Sequence, residues 1–388
     1  MIQPNLHFSR EEYAQRIGQT RGLLVERDLD ALLIFAQESH YYLTGFDTTD
    51  YVFFQCAVLT AGDDAITLLT RRPDVEQARR TSIMEDIRVW YDTEEANPAD
   101  DLKALLEEKG LKGGRLGIEL NTYGLTAASY VRVSEALAGW CQLVDASDVV
   151  RSLRVIKSPA ELAYVRRAAE LADASLNAMR ETARPGAFEG DIMAAGQGAI
   201  FQGGGDVPAS GPVLGSGDRA LLVRNSTGSR HLDAQDQLTI EFAAVYRRYH
   251  TCLMQTFPIG KDQPQQRRMY DVTREALHAM TEAAAPGRPI GDIDEAHRRV
   301  YDAAGYGHAR MAACGYSLGA TYRPNWMDVP PMLYAGNVTL AQPGMVLFMH
   351  AILVDAPANL AMSLGHTVVI TDSGRDVLTQ HPLDYHVC

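Results

Sequence analysis

Glu241 follows Leu238-Thr239-Ile240, and Cys252 stands eleven residues further on, both within the run TIEFAAVYRRYHTCLMQTFPIG from Thr239 to Gly260. A carboxylate set among apolar neighbours is seldom fully buried without a partner or a purpose. Three roles suit it: general base, covalent nucleophile, or the anion that holds a cationic substrate. The residue types do not separate these roles, and an ion pair with Arg247 or Arg248 is the purely structural alternative. His350 closes the apolar run Gly344-Met345-Val346-Leu347-Phe348-Met349 and precedes Ala351-Ile352-Leu353-Val354. A neutral imidazole beside a carboxylate can relay protons near pH 7; a satisfied core histidine is the other reading. Cys252 as a nucleophile needs an activating base and a lowered pKa, and no Cys-His-Asn or Cys-Gly-x-Cys context surrounds it. A space-filling thiol is its simpler role. Tyr316, in Gly315-Tyr316-Ser317-Leu318-Gly319, offers either a hydroxyl to a substrate or a ring to the core. Cys, His and Glu are also zinc ligands, so a zinc site is a further chemistry open to this set.

The elements that must position these side chains follow from pattern. Residues 1–155 alternate helix-like and strand-like runs, as an α/β unit does. Helical spacing predicts a helix over 11–26. Ala31–Phe35 and Cys56–Thr60 read as buried strands, and Gly62-Asp63-Asp64 leading into Ala65–Leu69 predicts a hairpin. Residues 87–91, 115–120 and 142–144 continue the series. Ser158-Pro159-Ala160-Glu161 predicts a helix start, with Ser at the N-cap, Pro at the first helical position and Glu at the third. It marks a boundary between domains 1–155 and 156–388. Beyond it, Leu176–Gly186 recurs 101 residues later as Leu277–Gly287, and Gly190-Asp191-Ile192 recurs as Gly291-Asp292-Ile293. So long a period suggests two facing copies of a helix–loop–helix plus strand unit, not a solenoid.

That layout, the boundary and three strand motifs resemble the pita-bread family of prolidases, methionine aminopeptidases and creatinases. The likeness is strong over 150–380; residues 1–155 resemble the creatinase-type N-terminal domain in pattern, and the loop at 41–46 is similar to a family Y-L-T-G-F segment that packs near the partner subunit's site. The resemblance implies an α/β (α+β) fold, an N-terminal α/β domain followed by a pseudo-twofold pita-bread domain, and a homodimer. The family signature is roughly I-D-x-G-x-x-Y-x-x-Y-x-S-D-x-T-R-T-F-x-x-G, whose two aspartates bridge two metal ions. Here those positions are Glu241 and Cys252. The family's ligand histidine falls on Tyr316, and its two glutamates fall on His350 and Gly365, with His366 one residue beyond. One carboxylate, one thiol, one phenol and one imidazole make a poor pair site for Mn, Co or Fe. The resemblance therefore implies the fold without the dinuclear centre, and no metal cofactor.

Arg224 and Arg323 stand where the family often places histidines, and guanidinium groups suit bidentate recognition of carboxylates. Within the family the pattern is most similar to the metal-free branch that hydrolyses ectoine, a small zwitterion with a cyclic amidinium and a ring carboxylate. Such a substrate brings its own positive charge and its own electrophilic carbon, to which a carboxylate is attractive. The expected catalytic residues are Glu241, His350, Tyr316, Cys252 and His366; Arg224, Arg323 and Gly365 are expected to bind substrate. A creatinase-like hydrolase of another guanidino or amidino acid is one alternative, and a catalytically inactive binding module is the other. Arginine at 224, where creatinase has its catalytic histidine, counts against creatine itself.

The 388 residues are 46% hydrophobic and 22% charged, enough for large cores, and the net charge of −13 argues against a nucleic-acid partner. Met1-Ile2-Gln3-Pro4 has neither a basic nor an apolar signal region, so no secretion signal is expected. No apolar run approaches the ~20 residues that span a bilayer. Five scattered cysteines without a CxxC fit reduced thiols. The expectation is a cytoplasmic enzyme with no membrane partner.

Overall fold

The structure, a computed structural model, describes residues 3–62, 65–224 and 228–388. It divides into two compact units, Met1–Arg154 and Val155–Cys388. The first unit runs α1 (Arg10–Glu26), β1 (Ala31–Ile34), α2 (Gln37–Thr44), β2 (Cys56–Thr60), β3 (Thr67–Arg71), α3 (Val75–Thr81), β4 (Asp86–Trp90), α4 (Pro98–Glu108), β5 (Arg115–Ile118), α5 (Ala127–Ala136), β6 (Gln142–Asp145) and α6 (Asp148–Arg154). Its strands form one sheet in the order β4-β3-β2-β1-β5-β6. β1 is buried on both faces, which is why an unbroken apolar run marks it. Ala31 and Leu33 pack with Leu102 and Leu106 of α4 and Val133 of α5, whereas Leu32 and Ile34 pack with Leu24, Leu43 and Val149 of α1, α2 and α6.

β2 and β3 pair antiparallel with Cys56 opposite Leu69, as the expected hairpin requires; Asp63 and Asp64 of its turn lie outside the described residues. The segment read as a loop at 41–46 is instead a helix end. Tyr41–Thr44 form the last turn of α2, and Gly45 caps it at φ +83°. A Cβ on Gly45 would lie 2.7 Å from Tyr13 Oη and 2.8 Å from Thr81 O, so both conformation and space require glycine there. Polar groups of this segment find partners inside the unit: Thr44 Oγ1 donates to His40 O at 2.6 Å, and Gln37 Nε2 donates to Phe46 O at 2.7 Å.

The second unit runs α7 (Pro159–Thr182), α8 (Glu189–Gln202), β7 (Val213–Ser216), β8 (Asp236–Tyr246), β9 (Tyr249–Ile259), α9 (Pro264–Ala283), α10 (Gly291–Ala303), β10 (Gly315–Leu318), β11 (Met327–Leu333), β12 (Val346–Asp355), β13 (Leu360–Thr371) and β14 (Gly374–Val377). α7 opens with a reciprocal capping box between Ser158 and Glu161. The sheet order is β11-β10-β12-β13-β9-β8-β7, with β14 paired to β13. The internal repeat is a repeat of structure. Gly186 and Gly287, after α7 and α9, take φ of +79° and +76°, and their amides donate to Leu232 O and Ala341 O, each at 2.8 Å. Isolated bridges Phe188–His231 and Pro289–Leu340 then recur at matching places.

The helices cover one face of this sheet. Leu176 and Ile192 of α7 and α8 pack on Ile240 and Phe242 of β8, while Met280 and Ile293 of α9 and α10 pack on Leu347, Met349 and Leu364 of β12 and β13. Because strand side chains alternate, the neighbouring residues Glu241, Phe348 and Gly365 fall on the opposite face. β8 and β9 are joined by Arg247 and Arg248 alone, at φ +52° and +69°, the backbone of a tight hairpin turn.

Candidate active site

Register assembles the site. Glu241 of β8 lies opposite Met254 of β9, Met254 opposite Gly365 of β13, and Gly365 opposite His350 of β12. Three strand spacings therefore separate the Glu241 and His350 backbones, about 14 Å at ~4.8 Å each. The adjoining row on the same face holds Cys252, opposite Ala243, then Thr367, Phe348 and Tyr316. Thr367 ties Cys252 in place: its Oγ1 accepts from Cys252 N at 3.0 Å and donates to Cys252 O at 2.9 Å.

Glu241 meets Tyr316 directly. Tyr316 Oη donates to Glu241 Oε1 at 3.0 Å and accepts from Trp326 Nε1 at 2.8 Å. A phenol has one proton to give, and the indole N–H on its lone pair leaves that proton aimed at the carboxylate. Burial pushes the Glu241 carboxyl up to about 7, against the opposing pull of the Tyr316 hydrogen bond and the Arg224 charge. Near neutral pH both its ionised and protonated forms are populated, as suits a group that accepts a proton and returns it. Burial and the nearby Glu241 hold the Tyr316 hydroxyl protonated. The ion-pair alternative for Glu241 fails on distance: Arg247 and Arg248 sit at the hairpin turn, six residues or about 20 Å along the strand.

His350 lies on the same face, its ring centroid 5.9 Å from that of Tyr316 and 5.5 Å from that of Phe348. Burial, with His297 nearby, lowers its pKa to about 4, so it is neutral at physiological pH. Its Nδ1 has no hydrogen-bond partner.

Other expected residues are placed differently. His366 follows Gly365 on β13 and so points to the other face, where its Nε2 meets Thr281 Oγ1 of α9 at 2.9 Å. The alternation that brings Gly365 to the site takes His366 away from it, and a catalytic role for His366 is withdrawn. Cys252 shares the site face but is fully buried, and burial together with Glu241 drives its thiol pKa well up. That is the opposite of an activating environment, so the thiol is a packing group. A Cβ on Gly365 would lie 2.8 Å from Phe348 Cζ, so the Phe348 ring fills the space the missing side chain leaves. Of the two arginines, Arg224 alone acts on the Glu241 carboxyl. Arg323 is exposed and lines a cavity of about 340 Å³ with Gln197, Ser210 and Pro324, to which no member of the Glu241 group contributes.

A dinuclear metal centre does not fit this face. Its donors reduce to one carboxyl, one thiol, a phenol engaged in two hydrogen bonds, one imidazole and a glycine, where a pair of such ions takes several carboxylates and imidazoles. Trp326 is the participant that sequence reasoning missed. Its only signal is an indole, one of three in the chain, three residues after Arg323. Asp294, His297 and Cys314, which gather near His350, were also missed, although Asp294 and His297 share one helical face at a three-residue spacing.

Residues 163–372 match metallopeptidase family M24, and residues 16–156 match the creatinase/prolidase N-terminal domain. The chain is 28% identical to the ectoine hydrolase of Halomonas elongata, with 98% of each chain covered. It is 23% identical to the Xaa-Pro dipeptidase of Pyrococcus furiosus, over 94% of this chain and 98% of that one. Among solved structures, a prolidase from Thermococcus sibiricus superposes with a TM-score of 0.87 at 19% identity, covering 97% of this chain and 99% of the other. An Xaa-Pro dipeptidase from Bacillus anthracis gives 0.82 at 21%, covering 97% and 100%. These likenesses establish the fold. Among the described residues no helix is long and apolar enough to cross a membrane.

Proposed function

This chain belongs to metallopeptidase family M24, and we propose that within it the chain is a hydrolase that opens the cyclic amidine of ectoine to N-acetyl-L-2,4-diaminobutyrate without a dinuclear metal centre. One observation carries the reading: the buried Glu241–Tyr316–Trp326 chain of hydrogen bonds, whose Glu241 and Tyr316 stand on positions where the family signature has metal donors. The 28% identity to an ectoine hydrolase along nearly the whole chain supports it.

A lone carboxylate on this face attracts an amidinium, and desolvation strengthens that attraction. The substrate's electrophilic carbon needs no Lewis acid to polarise it, since the amidinium charge does so. In one route Glu241 takes a proton from water while the water oxygen bonds to the amidinium carbon; one ring C–N bond of the tetrahedral intermediate then breaks, and the departing nitrogen receives the proton. In the other route the carboxylate itself bonds to that carbon, one ring C–N bond breaks as the departing nitrogen takes the proton of the nitrogen that stays, and water then hydrolyses the ester-like link, returning the carboxyl and leaving the acetamide. Tyr316 donates to the carboxylate in the resting state and is placed to donate to the oxygen that builds up negative charge. His350, neutral, is the second proton carrier. Arg224 supplies a cation for the ring carboxylate. A homodimer and a cytoplasmic setting belong to the same proposal.

NMR of the protein incubated separately with ectoine, creatine and a proline dipeptide tests it. Ectoine alone should be consumed, with an N-acetyl-diaminobutyrate formed. Consumption of the dipeptide with ectoine untouched would overturn the reading. Single turnover in ¹⁸O-water separates the routes, since label enters the Glu241 side chain only if the carboxylate bonds to substrate.

A further inference from the structure

Asp294 and His297 are three residues apart on α10 and so share a face. Cys314 immediately precedes β10. All three are buried, at 2%, 1% and 0% exposure. One ligand atom from each (a carboxylate oxygen, a ring nitrogen and Sγ) lies within 4.8 Å of the other two. His297 Nδ1 is 3.7 Å from Asp294 Oδ1. That is too long for a hydrogen bond, but close to the edge of about 3.4 Å in a tetrahedron with bonds of ~2.0–2.1 Å.

Neither ring nitrogen of His297 has a hydrogen-bond partner, and nor has Asp294 Oδ1. Leaving such groups buried and unmatched is costly, and native structures rarely do so without a reason. The surrounding polar groups do not fill the gap. Arg310 Nη1 stands 3.5 Å from Asp294 Oδ1 without a hydrogen bond, and Tyr301 meets the His297 ring edge-on at 4.7 Å with its own hydroxyl unmatched. His350 donates its backbone N–H to Cys314 O at 2.9 Å and keeps Nδ1 unmatched.

We propose that Asp294, His297 and Cys314 hold a single divalent ion of the zinc class, with a water molecule in the fourth position. Carboxylate, imidazole and thiolate are zinc donors, whereas magnesium and calcium take oxygen. Thiolate and carboxylate together neutralise the dication. An ordinary thiol is protonated at pH 7 and binds metal as thiolate, so binding releases a proton. The ion ties α10 to β10, whose partner strand β12 carries His350. It is separate from the Glu241–Tyr316 pair and does not rest on the proposed reaction.

The test uses the full chain, stripped with chelator and titrated with Co²⁺ and then Zn²⁺. Wild type and Cys252→Ser should each bind one cobalt per chain with a thiolate-to-cobalt charge-transfer band, which Cys314→Ser should lack. Zinc should bleach the band and release protons. At free zinc about 100-fold above Kd it should shift the folding equilibrium ~100-fold, raising the melting midpoint. His297→Asn should lose that shift. If Cys314→Ser fails to fold, the wild-type proton release and the band retained in Cys252→Ser still decide the matter. Wild type that binds no cobalt overturns the proposal. So does a band that survives Cys314→Ser and disappears in Cys252→Ser, which would put the ion beside Glu241.

Discussion

The two copies of the repeat in the second unit share a backbone plan and differ in what they bury. At equivalent positions of α8 and α10, Ile192 and Ile293 both face the core, but Met193 and Gly196 of the first copy answer to Asp294 and His297 of the second. At these two positions the first copy closes on apolar packing; it contributes Glu241 to the site face, with Arg224 acting on it, and buries a charge of its own in Glu189, which accepts from Ser216 N and Oγ. The second contributes Tyr316, Trp326 and His350, together with the unmatched Asp294–His297–Cys314 cluster. Since the first copy folds with Met and Gly where the second has Asp and His, the repeat plan does not demand the polar pair. The polar residues of the second copy were added to a frame that stands without them.

The sharpest break in that division of labour is Glu241→Gln. If Glu241, the carboxylate the first copy gives to the site face, is the base or nucleophile, turnover of ectoine falls by ~10²–10⁴; near-normal kcat would remove Glu241 from the chemistry. The same residue should oppose activity to stability. Its folded pKa of about 7 exceeds the ordinary 4.5. Its contribution to folding is therefore complete below 4.5 and lost as pH rises through 7, a change on the order of 3 kcal/mol at 1.36 kcal/mol per unit. Rate should climb with pH through the window in which stability falls, because the ionised form is the one that reacts. Chemical denaturation at pH 5 and pH 8.5 checks the sign: Glu241→Gln should gain on wild type only at the higher pH.

Gly196→Ala tests the claim that the first copy is closed by packing. Its Cβ would lie 2.6 Å from Met179 Cγ and 2.7 Å from Met179 Sδ. Overpacking of that kind costs about 1–3 kcal/mol, and an unchanged denaturation midpoint would mean the copy is looser than its contacts suggest. In the second copy, Trp326→Phe removes the N–H that orients Tyr316. The weakened Tyr316 hydrogen bond should let the Glu241 pKa rise above 7, moving the rate limb to higher pH and lowering kcat/KM by roughly tenfold, a loss of one hydrogen bond. A pH profile that does not move would make Trp326 a packing residue.

How much of this was legible depends on which physical signal each part leaves. The capping box at Ser158–Glu161 and the 101-residue repeat leave local, spaced marks, and both are present in the fold. That Glu241, Tyr316 and His350 share one face was legible because strand register is periodic and their motifs fix it. His366 was misjudged for want of the same rule, since one residue along a strand reverses the face. Where Arg323 points was not legible, because its chain segment has left the sheet, where no periodicity guides a reading. Trp326 and the Asp294–Cys314 cluster depend on contacts between elements distant in sequence, which composition and spacing do not encode.

The smallest expected effect concerns the turn between β8 and β9. Arg247 and Arg248 hold left-handed backbone that Asn-Gly adopts more readily, so that replacement should stabilise the fold by up to about 1 kcal/mol. A gain of any size with unchanged kcat would mean that the arginines serve only geometry there. Yet these two residues decide which atoms react. A hairpin that closed one residue out of step would carry Glu241 to the helix-covered face, against Leu176 and Ile192, and would present Ile240 on the site face instead. The identity of the nucleophilic or basic group is thus written twice in this chain, once as a carboxylate at 241 and once as the count of residues between it and the bend.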